Sequence, residues 1–137
     1  MKSLTGGAHR HEVNMAKIIL IDDDEDMRKT LADCLDSAGH VVDQAENGKA
    51  GLQLIEGAAY DLIIMDVFMP EMDGIELIQL LQKMDNPPPI ITISGGGGLL
   101  PPSWSTKLTE VYGVAAALTK PIDMAHFLST VEQALKR

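Results

Sequence analysis

The residues best suited to chemistry are polar groups placed where apolar runs end. Asp22 and Asp23 close the run Ile18-Ile19-Leu20-Ile21, and Leu62-Ile63-Ile64-Met65 delivers a lone Asp66. Ile90-Ile91-Thr92-Ile93 ends at Ser94, and a short run from Ala115 to Leu118 leads into Lys120-Pro121. An acid pair with a third carboxylate suits magnesium, a hard cation that takes oxygen ligands and keeps several waters. A carboxylate fixed at a strand end is a candidate nucleophile toward a phosphoryl group. A lysine and a hydroxyl nearby can then meet the charge that develops on the transferring oxygens. Acids after a strand also cap the next helix, and Asp24 and Asp26 read that way, favouring its N-terminal dipole. Asp22 and Asp23 stand apart because three further site elements occur in register with them.

These groups need a scaffold that gathers strand ends on one edge. From Lys17 onward, short apolar runs alternate with segments of helical period, the pattern of βαβ units and a parallel sheet. Strands are expected near 17–21, 41–45, 61–66, 90–94 and 115–119. Helices are expected near 25–37, 48–57, 74–84, 103–112 and 123–135. The first helix carries Met27, Leu31, Cys34, Leu35 and Ala38 as one stripe, and Gly39 falls where a left-handed C-terminal residue is wanted. Asn47 can cap the second helix, apolar at Leu52, Leu54 and Ile55. The last helix turns Phe127, Leu128, Val131 and Leu135 inward. The strand at 41–45 is more polar and reads as less buried, whereas 61–66 reads as a central strand covered on both faces. Right-handed crossovers then give an α/β fold, a doubly wound five-stranded parallel sheet with helices on both faces. Ligands of such sheets bind outside the carboxyl ends of the strands.

Composition narrows the class. The chain has 137 residues, 45% of them apolar, enough for one domain with a real core. A formal charge of −9 argues against nonspecific nucleic-acid binding, which depends on Lys and Arg neutralising phosphates. It also argues against anionic membrane surfaces. No apolar stretch approaches the roughly 20 residues of a membrane span. One cysteine, Cys34, allows no internal disulfide and fits a reducing, cytoplasmic setting. Residues 1–15 read as a disordered N-terminal tail or an expression remnant; residues 16–137 form the domain. Only two residues follow Leu135, so no output module is expected.

The motifs Ile19-Leu20-Ile21-Asp22-Asp23-Asp24, Met65-Asp66 with Met69-Pro70 and Asp73-Gly74, Ile93-Ser94-Gly95 and Leu118-Thr119-Lys120-Pro121 resemble the receiver domain of two-component response regulators. The resemblance spans about residues 16 to 136. It implies the flavodoxin-like, CheY-like fold, with Asp66 as phosphoacceptor and Mg2+ held by Asp22, Asp23, Asp66 and the backbone carbonyl of Phe68. It implies Ser94 as the switch hydroxyl and Lys120 as counter-charge to the phosphoryl group, with a cis peptide before Pro121. Pro70 and Gly74 would shape the loop after Asp66. A stand-alone receiver would take its phosphoryl group from a sensor histidine kinase or a histidine phosphotransfer protein. It would then signal to a downstream effector protein by contact, without direct nucleic-acid binding or membrane insertion.

Three positions depart from the family pattern. Ala117 stands where the family usually has an aromatic residue, and Tyr112 lies too near a helix end to be an obvious substitute. Phe68 stands two residues after Asp66, where a bulky group can restrict an attacking water. Gly95-Gly96-Gly97-Gly98-Leu99-Leu100-Pro101-Pro102, followed by Ser103 and Trp104, forms a conformationally free loop directly after Ser94. Leu99, Leu100 and Trp104 offer a partner anchor, or Trp104 simply packs its helix on the sheet. Three other functions share parts of this pattern. A phosphorelay shuttle to a histidine phosphotransfer protein uses the same residues. A receiver-like module that binds without phosphorylation would dispense with them. An aspartyl phosphatase commonly wants a second Asp where Phe68 stands. The chain is expected not to be an enzyme, promoting only its own phosphorylation and dephosphorylation.

Overall fold

The carboxyl ends of five parallel strands meet along one edge. The computed structural model describes residues 15–68, 74–95 and 103–136. Within them the chain runs β1 (Lys17–Ile21), α1 (Glu25–Ser37), β2 (Val41–Ala45), α2 (Gly48–Gly57), β3 (Leu62–Asp66), α3 (Gly74–Gln82), β4 (Ile90–Ser94), α4 (Ser103–Glu110), β5 (Ala116–Thr119) and α5 (Met124–Leu135). The sheet order is β2-β1-β3-β4-β5, with every adjacent pair parallel. The doubly wound sheet read from the sequence is the fold observed. The expectations placed on residues 1–14, on Met69 to Asp73 and on Gly96 to Pro102 lie outside the described residues.

Strand alternation divides the core in two. Ile18, Leu20, Ile64, Ile91 and Ile93 face one way and pack on Leu31 and Leu35 of α1 and on Phe127 and Val131 of α5. Ile19, Ile21, Ile63 and Met65 face the other way, against Ile55 of α2, Leu77, Ile78 and Leu81 of α3, and Leu108 of α4. The central strands β1, β3 and β4 are buried on both sides, which is why they read as unbroken apolar runs. β2 is an edge strand and carries the more polar sequence. No helix among the described residues is long and apolar enough to cross a membrane.

Helix ends follow local chemistry. Asp24 is the N-cap of α1, its carboxylate accepting the Met27 N–H at 3.2 Å. Asn47 caps α2 and Asp123 caps α5 in the same way. Gly39, past the end of α1, takes φ +97°, a left-handed conformation that favours glycine. Four details differ from the sequence reading. Ala38 is the exposed C-cap of α1 and takes no part in its buried stripe. Leu128 and Leu135 do pack on the core but stay half-buried, and Ala134, absent from the stripe read in the sequence, is buried beside them. α3 and α4 each stop two residues early, at Gln82 and Glu110. In α2, Leu54 is exposed while Gly48 and Gly51 are buried. α2 approaches β1 at Gly51, where a Cβ would stand 2.9 Å from Cγ1 of Ile21.

Candidate phosphoryl site

The winding of the chain reverses between β1 and β3. From β1 it crosses to β2 at one edge, then returns past β1 to β3. Helices therefore leave the carboxyl ends of these neighbours toward opposite faces, which opens a crevice at the strand ends. Asp22 and Asp23 follow β1 on one side of that crevice, and Asp66 ends β3 on the other. Carboxylate oxygens of the three residues all lie within 4.8 Å of one another. The β4–β5 pairing sets Ser94 beside Thr119, and the Lys120 N–H donates to the Ser94 carbonyl at 2.8 Å. Lys120 Nζ then stands 3.6 Å from Asp22 Oδ2 and 3.5 Å from Asp66 Oδ2. The Lys120–Pro121 peptide is cis, as expected.

The five side chains singled out in the sequence thus occupy one edge, though differently. Asp22, Asp66 and Ser94 are buried, Lys120 is half-buried and Asp23 faces solvent. Asp66 Oδ1 accepts the Phe68 N–H at 2.9 Å, which fixes the carboxylate against the turn that follows. Gly74 opens α3 so close to that turn that a Cβ there would overlap the Val67 backbone. The close approach is sealed by the Gly74 N–H donating to the Val67 carbonyl at 3.0 Å. Phe68 itself is 42% exposed.

Electrostatics at this edge are out of balance. Burial pushes the Asp66 carboxyl up to about 6; the Phe68 N–H opposes the rise, Asp22 adds to it and Lys120 opposes it. Burial works against the Lys120 charge, but Asp22 and Asp66 hold its ammonium above the usual lysine value. Asp22 Oδ2 is buried with no hydrogen-bond partner among the described residues. A buried carboxylate oxygen without a donor, facing two more carboxylates, fits a divalent cation better than it fits a closed protein network.

Arg28 was not apparent from the sequence. Its Nη1 donates to the Asp22 carbonyl at 2.7 Å and its Nε to Gln44 Oε1 at 3.1 Å. A signal existed: a cation among the acids near the start of α1 opposes the helix dipole and needs another reason to be there. Of the departures, Ala117 is half-buried and packs on the core cluster that also takes Trp104 and Tyr112. Trp104 therefore does pack toward the sheet, with Lys107 Nζ 4.5 Å from its ring centroid.

Comparison with known proteins agrees with this geometry. The chain is 34% identical over 122 residues to the transcriptional regulatory protein GlrR of Escherichia coli, covering 89% of this chain but only 27% of GlrR. It is 32% identical over 123 residues to the response regulator receiver protein CpdR of Brucella abortus, covering 88% of this chain and 98% of CpdR. The receiver domain of the Francisella response regulator 1452 superposes with a TM-score of 0.80 at 29% identity, over 89% of this chain and 98% of that one. The response regulator receiver domain family matches residues 18–132, the stretch that carries most of both core clusters and every residue of the acidic crevice, and the chain belongs to that family.

Proposed function

We propose that residues 16–137 form a phospho-accepting receiver in which Asp66 takes a phosphoryl group from the phosphohistidine of a kinase or phosphotransfer protein. The observation that carries this reading is the buried Asp66 carboxylate with Lys120 Nζ at 3.5 Å and two further acids within reach of a shared cation. In the transfer, a carboxylate oxygen of Asp66 forms a bond to phosphorus while the bond from phosphorus to the donor imidazole nitrogen breaks. The nitrogen keeps that electron pair as the imidazole leaves.

Each residue has a role in this step. The Phe68 N–H holds Asp66 Oδ1 and so orients the nucleophile. Lys120 offers its ammonium to the charge on the phosphoryl oxygens. Ser94, tied to Lys120 by a backbone hydrogen bond, offers a hydroxyl from the adjoining strand. Asp22, Asp23, Asp66 and the Phe68 carbonyl would hold magnesium, which when bound would offset the repulsion between the acids and an incoming phosphate. The phosphorylated chain then acts by contact with an effector protein in the cytoplasm, and the charge of −9 disfavours nucleic acid as that partner.

The test is to incubate the chain with magnesium and a small-molecule phosphodonor and follow intact mass, with Asp66→Asn as control. One phosphoryl increment in the wild type, absent from the variant, is expected. An increment retained by Asp66→Asn would overturn the assignment of Asp66. No increment from either the donor or a phosphorylated kinase would overturn the reading as a whole. Transfer from phosphorylated Asp66 back to a histidine phosphotransfer protein would identify a relay shuttle, which uses the same site.

A further inference from the structure

Asp22 is held by its backbone as firmly as by its side chain. Its N–H donates to the Ala45 carbonyl at 3.1 Å, and its Oδ1 accepts the Asp24 N–H at 3.0 Å. Its carbonyl accepts from Arg28 Nη1 at 2.7 Å, the shortest contact of the set. The same guanidinium donates Nε to Gln44 Oε1 on the neighbouring strand β2 at 3.1 Å. Among the described residues these anchors leave Oδ2 as the one polar atom of Asp22 without a hydrogen bond, buried and 3.6 Å from Lys120 Nζ.

The chemistry of the clamp is specific. Arg28 lies beside an acidic turn, yet the contact it makes there is to a carbonyl and an amide, so neutralising a carboxylate does not explain it. Two donors in fixed relative geometry are what a guanidinium has and an ammonium lacks. A clamp on the main chain of a metal-binding acid sets the direction of its free oxygen. Magnesium demands near-ideal octahedral geometry at about 2.0–2.1 Å, whereas calcium accepts six to eight oxygens at roughly 2.3–2.6 Å in flexible arrangements. A rigid Asp22 is therefore worth more to the smaller ion.

We infer that Arg28, braced by Gln44, is a positioning residue that fixes Asp22 Oδ2 for a small octahedral cation and so sets the preference of the site for magnesium over calcium. The inference rests on the proposed function and adds to it a residue that contacts neither the ion nor the phosphoryl group.

The sign of the effect separates positioning from charge. A cation near a metal site repels the metal, so if Arg28 acted by charge alone, Arg28→Ala would tighten binding of both ions. Positioning predicts the reverse. The experiment titrates the full chain with magnesium and, separately, calcium, following amide chemical shifts around Asp22 and Asp66. Arg28→Ala is expected to weaken magnesium binding about tenfold, the usual cost of losing an outer-shell partner, and calcium binding by threefold or less. Arg28→Lys, which keeps the charge and loses the fork, is expected to behave like Arg28→Ala. Gln44→Ala removes only the brace and is expected to weaken magnesium binding a few-fold; it carries the test alone should Arg28→Ala not fold. Unchanged or tighter magnesium binding in these variants, full rescue by Lys, or equal losses for both ions would overturn the inference while leaving the receiver reading intact. A wild-type chain that binds neither ion would overturn both.

Discussion

The two edges of the sheet treat polar groups in opposite ways. At the amino ends, donors and acceptors largely pair off; the exception, the buried His40 Nε2, has no hydrogen bond among the described residues but lies 3.4 Å from Glu132 Oε2. Lys17 N–H donates to Asp61 Oδ2 at 2.8 Å, Tyr60 OH donates to Asp43 Oδ2 at 2.6 Å, and Ala16 N–H donates to Nδ1 of the buried His40 at 3.1 Å. Lys17 Nζ also lies 5.2 Å from the Tyr60 ring centroid. At the carboxyl ends, Asp22 and Asp66 are buried beside each other with Lys120 as the shared cation, and one carboxylate oxygen lacks any donor among the described residues. A protein selected only for stability would pair these groups or replace them, since an uncompensated buried charge is costly. The amino edge serves the fold. The carboxyl edge is left incomplete in a way that a cation and a phosphoryl group would complete.

Exchanging single residues at the two edges should expose this division. The largest effect is expected at Lys120, the cation shared by both buried acids. Lys120→Ala should slow phosphoryl uptake from a small-molecule donor by about 100-fold, the scale seen when one transition-state donor is lost. Initial rates from intact mass would show it, and a loss of less than about threefold would remove Lys120 from the chemistry. The opposite result is expected at His40. His40→Ala opens a buried void and strands the Ala16 N–H, costing about 3 kcal/mol of stability in urea unfolding. Uptake per folded molecule should stay unchanged. If uptake fell with stability, the edges would not be independent.

Some of this contrast was legible in the sequence and some was not. β1, β3 and β4 announced themselves because strands buried on both faces must be apolar throughout. Asp22, Asp23, Asp66, Ser94 and Lys120 were legible for the same reason, as polar residues that abruptly end such runs. The lower burial of β2 also showed through its mixed composition. Residues whose roles depend on partners distant along the chain were hidden. His40 is buried because its ring reaches Ala16 and stands 3.4 Å from Glu132 on α5. Arg28 matters through Asp22 and Gln44, neither predictable from helical period. The burial of Gly51 rather than Leu54 was missed because periodicity counts large apolar residues. A helix that packs through its backbone turns its small ones inward.

A smaller effect follows from the charge imbalance itself. With a folded value of about 6, the Asp66 carboxyl is raised well above the roughly 3.9 of an unfolded chain. The folded state therefore holds a proton that the unfolded state releases. The stability this confers is full below about pH 4 and is lost as pH rises through about 6. Asp66→Asn carries no such charge, so it should be more stable than wild type by about 3 kcal/mol at pH 7.5. The advantage should shrink toward zero near pH 4. Paired urea titrations across that range would measure it. A variant no more stable than wild type at pH 7.5 would mean that Lys120 already balances the carboxyl edge, and the contrast with the amino edge would weaken.

The smallest effect expected concerns how long the carboxyl edge stays phosphorylated. Phe68 is anchored next to the nucleophile, its N–H bound to Asp66 Oδ1, while the residue is exposed rather than packed in either core cluster. An apolar ring at that position contributes little to the fold. Its consequence would be kinetic, through crowding the approach of water to phosphorylated Asp66. Phe68→Asn replaces the ring with an amide that can hydrogen-bond a water, and hydrolysis should quicken about three- to tenfold, a change of about 0.7–1.4 kcal/mol in barrier. The decay of the phosphorylated mass after donor removal is the measurement, with urea unfolding as a check that stability moves by less than about 0.5 kcal/mol. Decay no faster than wild type would assign Phe68 to ordinary lining of a shallow site. Faster decay without a stability change would make it a residue at the carboxyl edge that tunes the lifetime of the signal.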